Sequence, residues 1–391
     1  MAKIAFKPGQ TFPFTIEGLH YITGKPVSLY IIGDTIAEIR EIKTLQRGSE
    51  NIIVAPGLID NQINGYAGVD FSGKDLTSNG VLEATKAIMK DGVTSFIPTL
   101  ITNSHEALLL NFSILNESCR DEIINSCVPG FHLEGPYISP EDGFRGCHSA
   151  KYIRKPSWDE FMKYQDAAEG RIIQVTVAPE VDGAQEFIKK CRAEGIIVGI
   201  GHSNAIAEDI SEAVKNGAGI STHLGNGCAN MIHRHNNPIW PQLSEDELFA
   251  SIIADGNHLL PEEIRVFIRA KGEENIILTS DVVYLTGMKP GRYEFSGTPV
   301  ILKENGMLMT EFDCLAGASF PLIKGVENVM RMAGMNLAGA ISMASENVSR
   351  FYGIRDRGML KEGMKADIIL LELEEDRINL KRTYKNGIPV L

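Results

Sequence analysis

The hydrophobic and polar positions of this chain follow one pattern in its middle and another at its two ends. In the middle, short apolar runs rich in β-branched residues alternate with longer amphipathic stretches. Apolar runs without polar alternation predict strands that are buried on both faces, and their alternation with helices predicts a parallel sheet. The predicted strands are residues 58–63, 94–100, 130–134, 172–178, 196–201, 218–223, 251–254 and 276–280.

Amphipathic stretches between these strands have the spacing of helices that bury one face. The clearest are residues 81–90, 184–194, 207–216 and 261–270. Eight strands with intervening helices in roughly 250–300 residues predict a (β/α)8 TIM barrel, an α/β fold. A doubly wound open sheet is the alternative, but the Gly-rich phosphate fingerprint of that fold does not follow the first strand.

Both ends of the chain carry signals for strands and tight turns instead. Residues 30–39 predict a hairpin that bends at Gly33-Asp34, and residues 367–373 predict a strand that is followed by an Asn386-Gly387 turn. We therefore predict a small β-sandwich domain built from residues 1–54 and 355–391. The barrel of residues 55–354 is inserted between these two parts.

Composition limits the possible partners and the compartment. The chain has 391 residues, 43% of them hydrophobic, and a formal net charge of -12. An acidic protein repels nucleic acid and anionic membranes, so neither is an expected partner. The six cysteines form no C-x-x-C pair, and the chain shows neither a signal-peptide pattern nor a membrane-length apolar run. We expect a cytoplasmic protein with reduced thiols.

Ionisable residues gather where the predicted strands end. The C-terminal ends of barrel strands carry the chemistry of this fold, and Glu134, His202, His223 and Asp281 all lie at such ends. Buried acids and imidazoles rarely cluster without a function. One carboxylate and two imidazoles leave a coordination position open, as in catalytic zinc sites. We predict one divalent metal ion, zinc by preference, on Glu134, His202 and His223, with Asp281 as the base. His132 shares a strand face with Glu134 and is expected either to support the ligands from behind or to be a hydrogen-bonded core residue, and not to bind the metal.

Six short segments occur along the chain in a recognisable order: A-P-G-L-I-D at 55–60, H-L-E-G-P at 132–136, G-H-S-N-A at 201–205, T-H-L at 222–224, I-A-D-G at 253–256 and L-K-E-G-M-K-A-D at 360–367. Together they resemble the N-acetylglucosamine-6-phosphate deacetylases of the amidohydrolase superfamily, and the likeness covers nearly the whole chain. The resemblance implies a metal-dependent deacetylation of an amino-sugar phosphate by a homodimer whose phosphate pocket is completed by the neighbouring subunit.

The resemblance also assigns residues to roles. It maps the metal ligands onto Glu134, His202 and His223, and the catalytic aspartate onto Asp281. It gives His148 a role in catalysis and in substrate binding, although a place in an exposed loop is an equal alternative. The remaining substrate-binding residues that it implies are Asn226, Gly227, Arg234 and His258.

This chain departs from the family pattern at two important places. Gln62-Ile63-Asn64 stands where many amidohydrolases have a His-x-His pair for a second metal, which favours a single ion. The loop 225–238 is unlike the usual Tyr-Asn-Ala-Met sequence, although Arg234 keeps the position of the phosphate-binding arginine. His233-Arg234-His235 could bind a phosphate, or could be a solvated loop or a subunit contact.

A smaller change is Ser280-Asp281-Val282 in place of Thr-Asp-Ala, which is expected to alter packing alone. Because the loop 225–238 differs, two other functions stay open. One is an amidohydrolase for another N-acyl sugar or a cyclic amide, and the other is a non-catalytic amidohydrolase-like protein. The native metal, the glucosamine or galactosamine configuration and the need for the 6-phosphate stay open as well.

Overall fold

A computed structural model describes residues 13–310 and 314–391. The strands in these ranges are β1 (Phe14–His20), β2 (Pro26–Ile32), β3 (Thr35–Glu41), β4 (Ile53–Pro56), β5 (Leu58–Ile63), β6 (Gly65–Tyr66), β7 (Val69–Asp70), β8 (Val93–Ile101), β9 (Phe131–Glu134), β10 (Ile172–Val177), β11 (Ile197–Ile200), β12 (Ala218–Ser221), β13 (Phe249–Ile253), β14 (Ile276–Thr279), β15 (Gly291–Phe295), β16 (Thr298–Leu302), β17 (Leu308–Thr310), β18 (Ile368–Glu374), β19 (Arg377–Lys385) and β20 (Ile388–Pro389). The helices are α1 (Ser78–Lys90), α2 (His105–Ser118), α3 (Glu122–Cys127), α4 (Trp158–Ala167), α5 (Ala184–Ala193), α6 (Ala207–Asn216), α7 (Ile239–Ser244), α8 (Pro261–Lys271), α9 (Leu322–Ala333), α10 (Leu337–Met343) and α11 (Glu346–Tyr352), with a 3-10 turn at Glu273–Asn275.

Eight parallel strands form the central sheet, in the order β5-β8-β9-β10-β11-β12-β13-β14. Strands β14 and β5 complete the ring just beyond the end of β14, where Asp281 N donates to Gln62 O (3.2 Å) and Asn64 N donates to Val282 O (2.8 Å). Every residue of β5 and β8 is buried, as expected for strands with apolar contacts on both faces. The predicted (β/α)8 barrel is confirmed, and the open doubly wound sheet is excluded.

The four clearest predicted helices correspond to α1, α5, α6 and α8; α6 has its predicted ends, and each of the others differs from the prediction at one end only. Helix α1 begins before the predicted residue 81 because the Thr77 side chain accepts a hydrogen bond from Gly80 N and caps the first turn. Helix α6 ends at Asn216 because Gly217 adopts a left-handed conformation with φ 118°. Caps therefore set the helix ends where apolar spacing leaves them undefined. No helix in the described ranges combines the length and hydropathy needed to cross a membrane.

Strands from both ends of the chain form one seven-stranded sheet, in the order β20-β19-β18-β4-β1-β2-β3. The β2–β3 hairpin bends back onto the C-terminal part, since Ile36 N donates to Met364 O (2.8 Å) and Ala366 N donates to Asp34 O (2.7 Å). Leu29 and Ile368 lie in the separate apolar core of this sheet. A small β domain built by both termini is thus present. The assignment of residues 1–54 and 355–391 to this domain stays a prediction, and residues 1–12 lie outside the described residues.

A three-stranded antiparallel sheet, β15-β16-β17, was not predicted. It follows β14 in the chain, and its Phe295, Val300 and Leu308 share an apolar cluster with Ile101 at the end of β8 and with Val283. This sheet therefore packs beside the C-terminal mouth of the barrel, next to the loops that carry the predicted site residues.

Candidate metal centre and active site

Three predicted metal ligands meet in the barrel mouth. Glu134 is the last residue of β9, and His202 and His223 follow β11 and β12. The Nε2 atoms of His223 and His202 lie 2.8 Å and 3.4 Å from Glu134 Oε1. All three residues are buried, and one candidate ligand atom from each lies within 4.8 Å of the others. The structure thus brings these three residues together in a group that can hold a metal ion.

This donor set fits a divalent cation. Ligand atoms at zinc distances are about 3.3 Å apart in a tetrahedral site, close to the separations observed here. His202 Nδ1 donates to Phe144 O (3.3 Å), which leaves its Nε2 free to bind a metal. Although burial acts to raise it, the contacts with His202 and His223 hold the pKa of Glu134 well below its ordinary value. The group therefore offers an anionic carboxylate and two imidazoles.

The two histidines and Asp281 have unusual backbone conformations. Their backbone φ angles are 50° for His202, 34° for His223 and 51° for Asp281. Residues other than glycine seldom adopt this left-handed region. Such strain persists only where neighbouring groups enforce it. Ser251 Oγ accepts from His223 N (2.8 Å), and Glu180 Oε1 accepts from Asn204 N (2.6 Å) in the turn after His202. Ser251 and Glu180 were not predicted as site residues.

Asp281 is held by two amide side chains. Its Oδ1 accepts hydrogen bonds from Gln62 Nε2 and Asn64 Nδ2, both at 2.8 Å. Gln62 Nε2 also donates to Glu134 Oε1 (2.9 Å). It thereby links the aspartate to the candidate metal-binding residues Glu134, His202 and His223, called the metal group below. Burial, followed by the charge of Glu134, raises the pKa of Asp281 to about 6. Gln62 and Asn64 were predicted only as poor metal ligands, and their part in holding Asp281 was not predicted.

His148 lies inside the site and not in an exposed loop. It is 4% exposed, its Nδ1 lies 2.7 Å from Thr102 Oγ1, and its Nε2 lies 3.9 Å from Glu134 Oε2. Its ring centroid is 4.2 Å from that of His202. Burial and then the neighbouring His202 lower the pKa of His148 to about 3, so the imidazole is neutral. The alternative that His148 lies in an exposed loop is therefore wrong.

The residues predicted to contact the sugar phosphate occupy the neighbouring loops. The His258 Nδ1 atom lies 2.9 Å from Asp255 Oδ2, and Asn226 N donates to His223 O (2.9 Å). A Cβ at Gly227, whose φ is 58°, would lie only 2.8 Å from His202 Nδ1. Glycine is thus required where this loop packs on the ring of His202. Asp255, which lies beside His258, belongs to the I-A-D-G segment but was not predicted as a site residue.

Arg234 is the one predicted site residue that the structure leaves outside this arrangement. It lies in the exposed loop between β12 and α7, where Trp240 Nε1 donates to its carbonyl oxygen (3.0 Å). His233 and His235 beside it are exposed too. The basic cluster therefore does not join the buried residues of its own chain.

His132 agrees with its predicted place in the core. Its Nδ1 and Nε2 lie 3.2 Å from Thr99 Oγ1 and 2.7 Å from Thr176 Oγ1. Burial lowers its pKa to about 4. Both ring nitrogens are satisfied by the barrel interior, so His132 is not a ligand.

Comparisons with known proteins agree in sequence and in structure. The model of the Amidohydrolase family matches residues 53–389. The N-acetylglucosamine-6-phosphate deacetylase of Bacillus subtilis (strain 168) is 30% identical over 333 residues, 84% of this chain and 83% of that relative. The enzyme of that name from Bos taurus is 32% identical over 363 residues, 90% of this chain and 86% of the relative. The crystal structure of N-acetylglucosamine-6-phosphate deacetylase from Pasteurella multocida has a TM-score of 0.86 at 26% identity, covering 97% of this chain and 99% of its own.

Proposed function

We propose a function from the premise that this chain belongs to the N-acetylglucosamine-6-phosphate deacetylase family of the amidohydrolases. It hydrolyses the acetamide bond of N-acetylglucosamine 6-phosphate and releases acetate and glucosamine 6-phosphate. The observation that carries this proposal is the buried group of Glu134, His202 and His223, with Asp281 linked to it through Gln62. A non-catalytic protein would not need an aspartate with a raised pKa in that position.

Glu134, His202 and His223 would hold the metal ion. When bound, the ion would supply Lewis acidity that activates water near neutral pH and polarises the acetyl carbonyl. Asp281 accepts the proton of the attacking water and then delivers it to the departing amine. A pKa of about 6 suits a group that must do both, and the amides of Gln62 and Asn64 keep its carboxylate in place.

His148 completes the proposed mechanism as a hydrogen-bond donor. If the Thr102 hydroxyl donates to Nδ1, the ring proton lies on Nε2, the atom that faces Glu134. A neutral imidazole in this tautomer donates a hydrogen bond to the carbonyl oxygen as negative charge develops on it. His258 and Asn226, in adjacent loops, contact the sugar phosphate.

Acetate release tests the function directly. The protein is loaded with metal and assayed with N-acetylglucosamine 6-phosphate, N-acetylgalactosamine 6-phosphate and unphosphorylated N-acetylglucosamine. The first substrate is expected to give the highest kcat/KM. Faster hydrolysis of another N-acyl sugar or of a cyclic amide would replace this proposal with the alternative substrate class, and no release from any amide would favour a non-catalytic protein.

Zinc is the proposed metal, because two imidazoles and one carboxylate with an open position are typical of catalytic zinc. Dialysis against a chelator followed by addition of zinc, cobalt, manganese or iron would rank the metals by restored turnover. We also propose a cytoplasmic location, because all six cysteines are free thiols.

A homodimer is proposed from exposed apolar side chains at the barrel mouth. Met231 and Trp240, in the loop after β12, are 90% and 54% exposed, and Leu260, after β13, is 63% exposed. Several exposed apolar side chains in loops at one end of a barrel are typical of contact surfaces. These loops include the loop of Arg234, and in the proposed dimer the basic cluster of one subunit would contribute to the site of its partner.

Trp240→Glu combined with Met231→Glu is expected to convert the dimer to a monomer, since charges would be buried in an apolar contact. Sedimentation equilibrium measures the change in mass. Leu110→Glu, at a 54% exposed position on α2, is the matched control and should leave the mass unchanged. A wild-type protein that sediments as a monomer would contradict the proposed dimer.

Arg234→Ala is expected to raise KM for the phosphorylated substrate by about 10- to 100-fold with little change in kcat, because a charge-assisted contact to phosphate is lost. KM for the unphosphorylated sugar should stay constant. If Arg234 acts in the partner's site, mixing Arg234→Ala with Asp281→Asn subunits restores sites of normal KM. Equal effects on both substrates would remove Arg234 from the phosphate site.

A further inference from the structure

The position of His148 depends on a long loop, residues 135–157, between β9 and α4. One side of its ring contacts Thr102, in the segment just after β8. A Cβ at Gly135 would clash with Thr102 Oγ1, so the start of this loop lies directly against the same segment. Three pieces of chain therefore surround His148: the start of the loop, the segment after β8, and the turn from Ser149 to Tyr152, where Tyr152 N donates to Ser149 O (3.1 Å).

Arg154 contacts all three of these pieces. Its backbone N donates to Pro136 O (3.1 Å) at the start of the loop. Its Nη1 donates to Asn103 O (3.1 Å), the residue after Thr102, and to Tyr152 O (2.6 Å) at the end of the turn. One guanidinium nitrogen thus joins the segment that binds the His148 ring to the segment that carries it.

The other guanidinium nitrogens are anchored on helix α4. Arg154 Nε donates to both carboxylate oxygens of Glu160 (2.9 and 3.0 Å), and Nη2 donates to the Tyr164 hydroxyl (2.8 Å). Tyr137 OH donates to Glu160 Oε2 (2.8 Å), and both tyrosines are fully buried. The arginine is therefore fixed to a rigid helix and not to another loop.

We propose that Arg154 is a positioning residue that holds His148 in its catalytic orientation. This inference rests on the proposed function, in which His148 donates to the substrate carbonyl. Neither Arg154 nor Glu160 belongs to the metal group, and the contacts of Arg154 run to the backbone on either side of His148. Its effect on the reaction passes through the loop.

Arg154→Lys is expected to lower kcat by about 10- to 100-fold, the usual consequence of a small misplacement of a catalytic group. A lysine ammonium cannot reproduce the fork that reaches Glu160, Tyr164 and two carbonyls at once. Metal content and KM should change little. Steady-state kinetics and metal analysis of the purified variant measure these quantities.

Arg171→Lys is the matched control. Arg171 Nη2 donates to Asn125 Oδ1 (3.0 Å) and Val128 O (3.3 Å), and so joins the start of β10 to the end of α3 at the opposite, N-terminal side of the barrel. It is expected to lower Tm without lowering kcat. A fall in kcat of similar size in both variants would mean that loss of stability alone explains the result, and would overturn the proposal.

A double-mutant cycle decides whether Arg154 acts through His148. In a His148→Asn background, Arg154→Lys should lower kcat no further, because coupled residues are not additive. An unchanged kcat in the single variant, or an equal fall in both backgrounds, overturns the proposal. If Arg154→Lys does not fold, Glu160→Gln removes the anchoring charge and is tested in the same cycle.

Hydrogen exchange separates this proposal from the proposed function. Faster exchange in residues 146–153 of Arg154→Lys, and not of Arg171→Lys, is expected whatever the substrate is. Unchanged exchange there overturns the positioning role. If exchange in this segment is faster in Arg154→Lys but the wild-type protein releases no acetate, the deacetylase assignment is refuted and the positioning role of Arg154 in the loop is retained.

Discussion

Asp281→Asn is expected to lower kcat for N-acetylglucosamine 6-phosphate by about 10⁴-fold, the upper end of what a positioned acid–base group contributes. Asparagine has nearly the same shape, and its Oδ1 can still accept from Gln62 Nε2 and Asn64 Nδ2. The metal group is untouched, so metal content should equal that of the wild type. In the proposed mechanism, what is lost is the group that takes the proton from water and gives it to the amine.

Asp70→Asn is the matched control for this experiment. Asp70 is also a carboxylate whose pKa burial raises to about 6, but it accepts a hydrogen bond from Ser72 N (2.9 Å) and does not contact the amides that hold Asp281. Its replacement should leave turnover within a few-fold of wild type. Near-normal turnover of Asp281→Asn would remove Asp281 from the mechanism, and lost metal would point to a structural role instead.

The convergence of Glu134, His202 and His223 could be predicted from sequence for two simple reasons. Glu134, His202 and His223 each follow a short apolar run, and the C-terminal ends of parallel barrel strands meet in one mouth. No information about loops or side-chain rotamers was needed. The barrel itself was predictable for a similar reason, since most of its buried strands are short, mostly apolar runs that alternate with amphipathic helices.

Contacts that depend on loop paths were not predictable. The hydrogen bonds of Arg154 to Asn103 O and Tyr152 O exist only because the loop 135–157 turns back on the end of β8. Arg234 kept its place in the sequence pattern, yet the structure exposes it, because loop length and packing decide where such a side chain points. Spacing along a chain carries no information on the path of the loop 135–157 or of the loop that carries Arg234.

A third case is a pair of residues whose place in the sequence pattern was recognised but whose contacts were not. Gln62 and Asn64 were predicted to stand in the place of a pair of metal ligands, and their poor suitability for that role was evident from their chemistry. Their role as donors to Asp281 required knowing that β5 and β14 are neighbours in the closed ring. Barrel closure is a long-range property, so a local pattern predicted the positions but not the contact.

The metal group itself is tested by Glu134→Gln, which is expected to weaken zinc binding by more than about 100-fold, beyond the usual cost of losing a mere supporting partner. Glu134 supplies the negative charge between two imidazoles, with Nε2 atoms 2.8 Å and 3.4 Å from one of its oxygens. A neutral amide lacks that charge and is a much weaker ligand for a divalent ion. Turnover at limiting zinc should fall in parallel.

Glu180→Gln provides the same change at a carboxylate that supports a ligand without belonging to the group. Glu180 accepts from Ser203 Oγ (2.7 Å) and Asn204 N (2.6 Å), the two residues after His202. Zinc affinity should therefore fall by only about 10-fold, as expected when a partner behind a ligand is lost. Titration calorimetry with zinc, in competition with a chelator, measures both variants on one scale. Wild-type affinity in Glu134→Gln would show that the ion binds elsewhere, and the proposed hydrolysis would lose its centre.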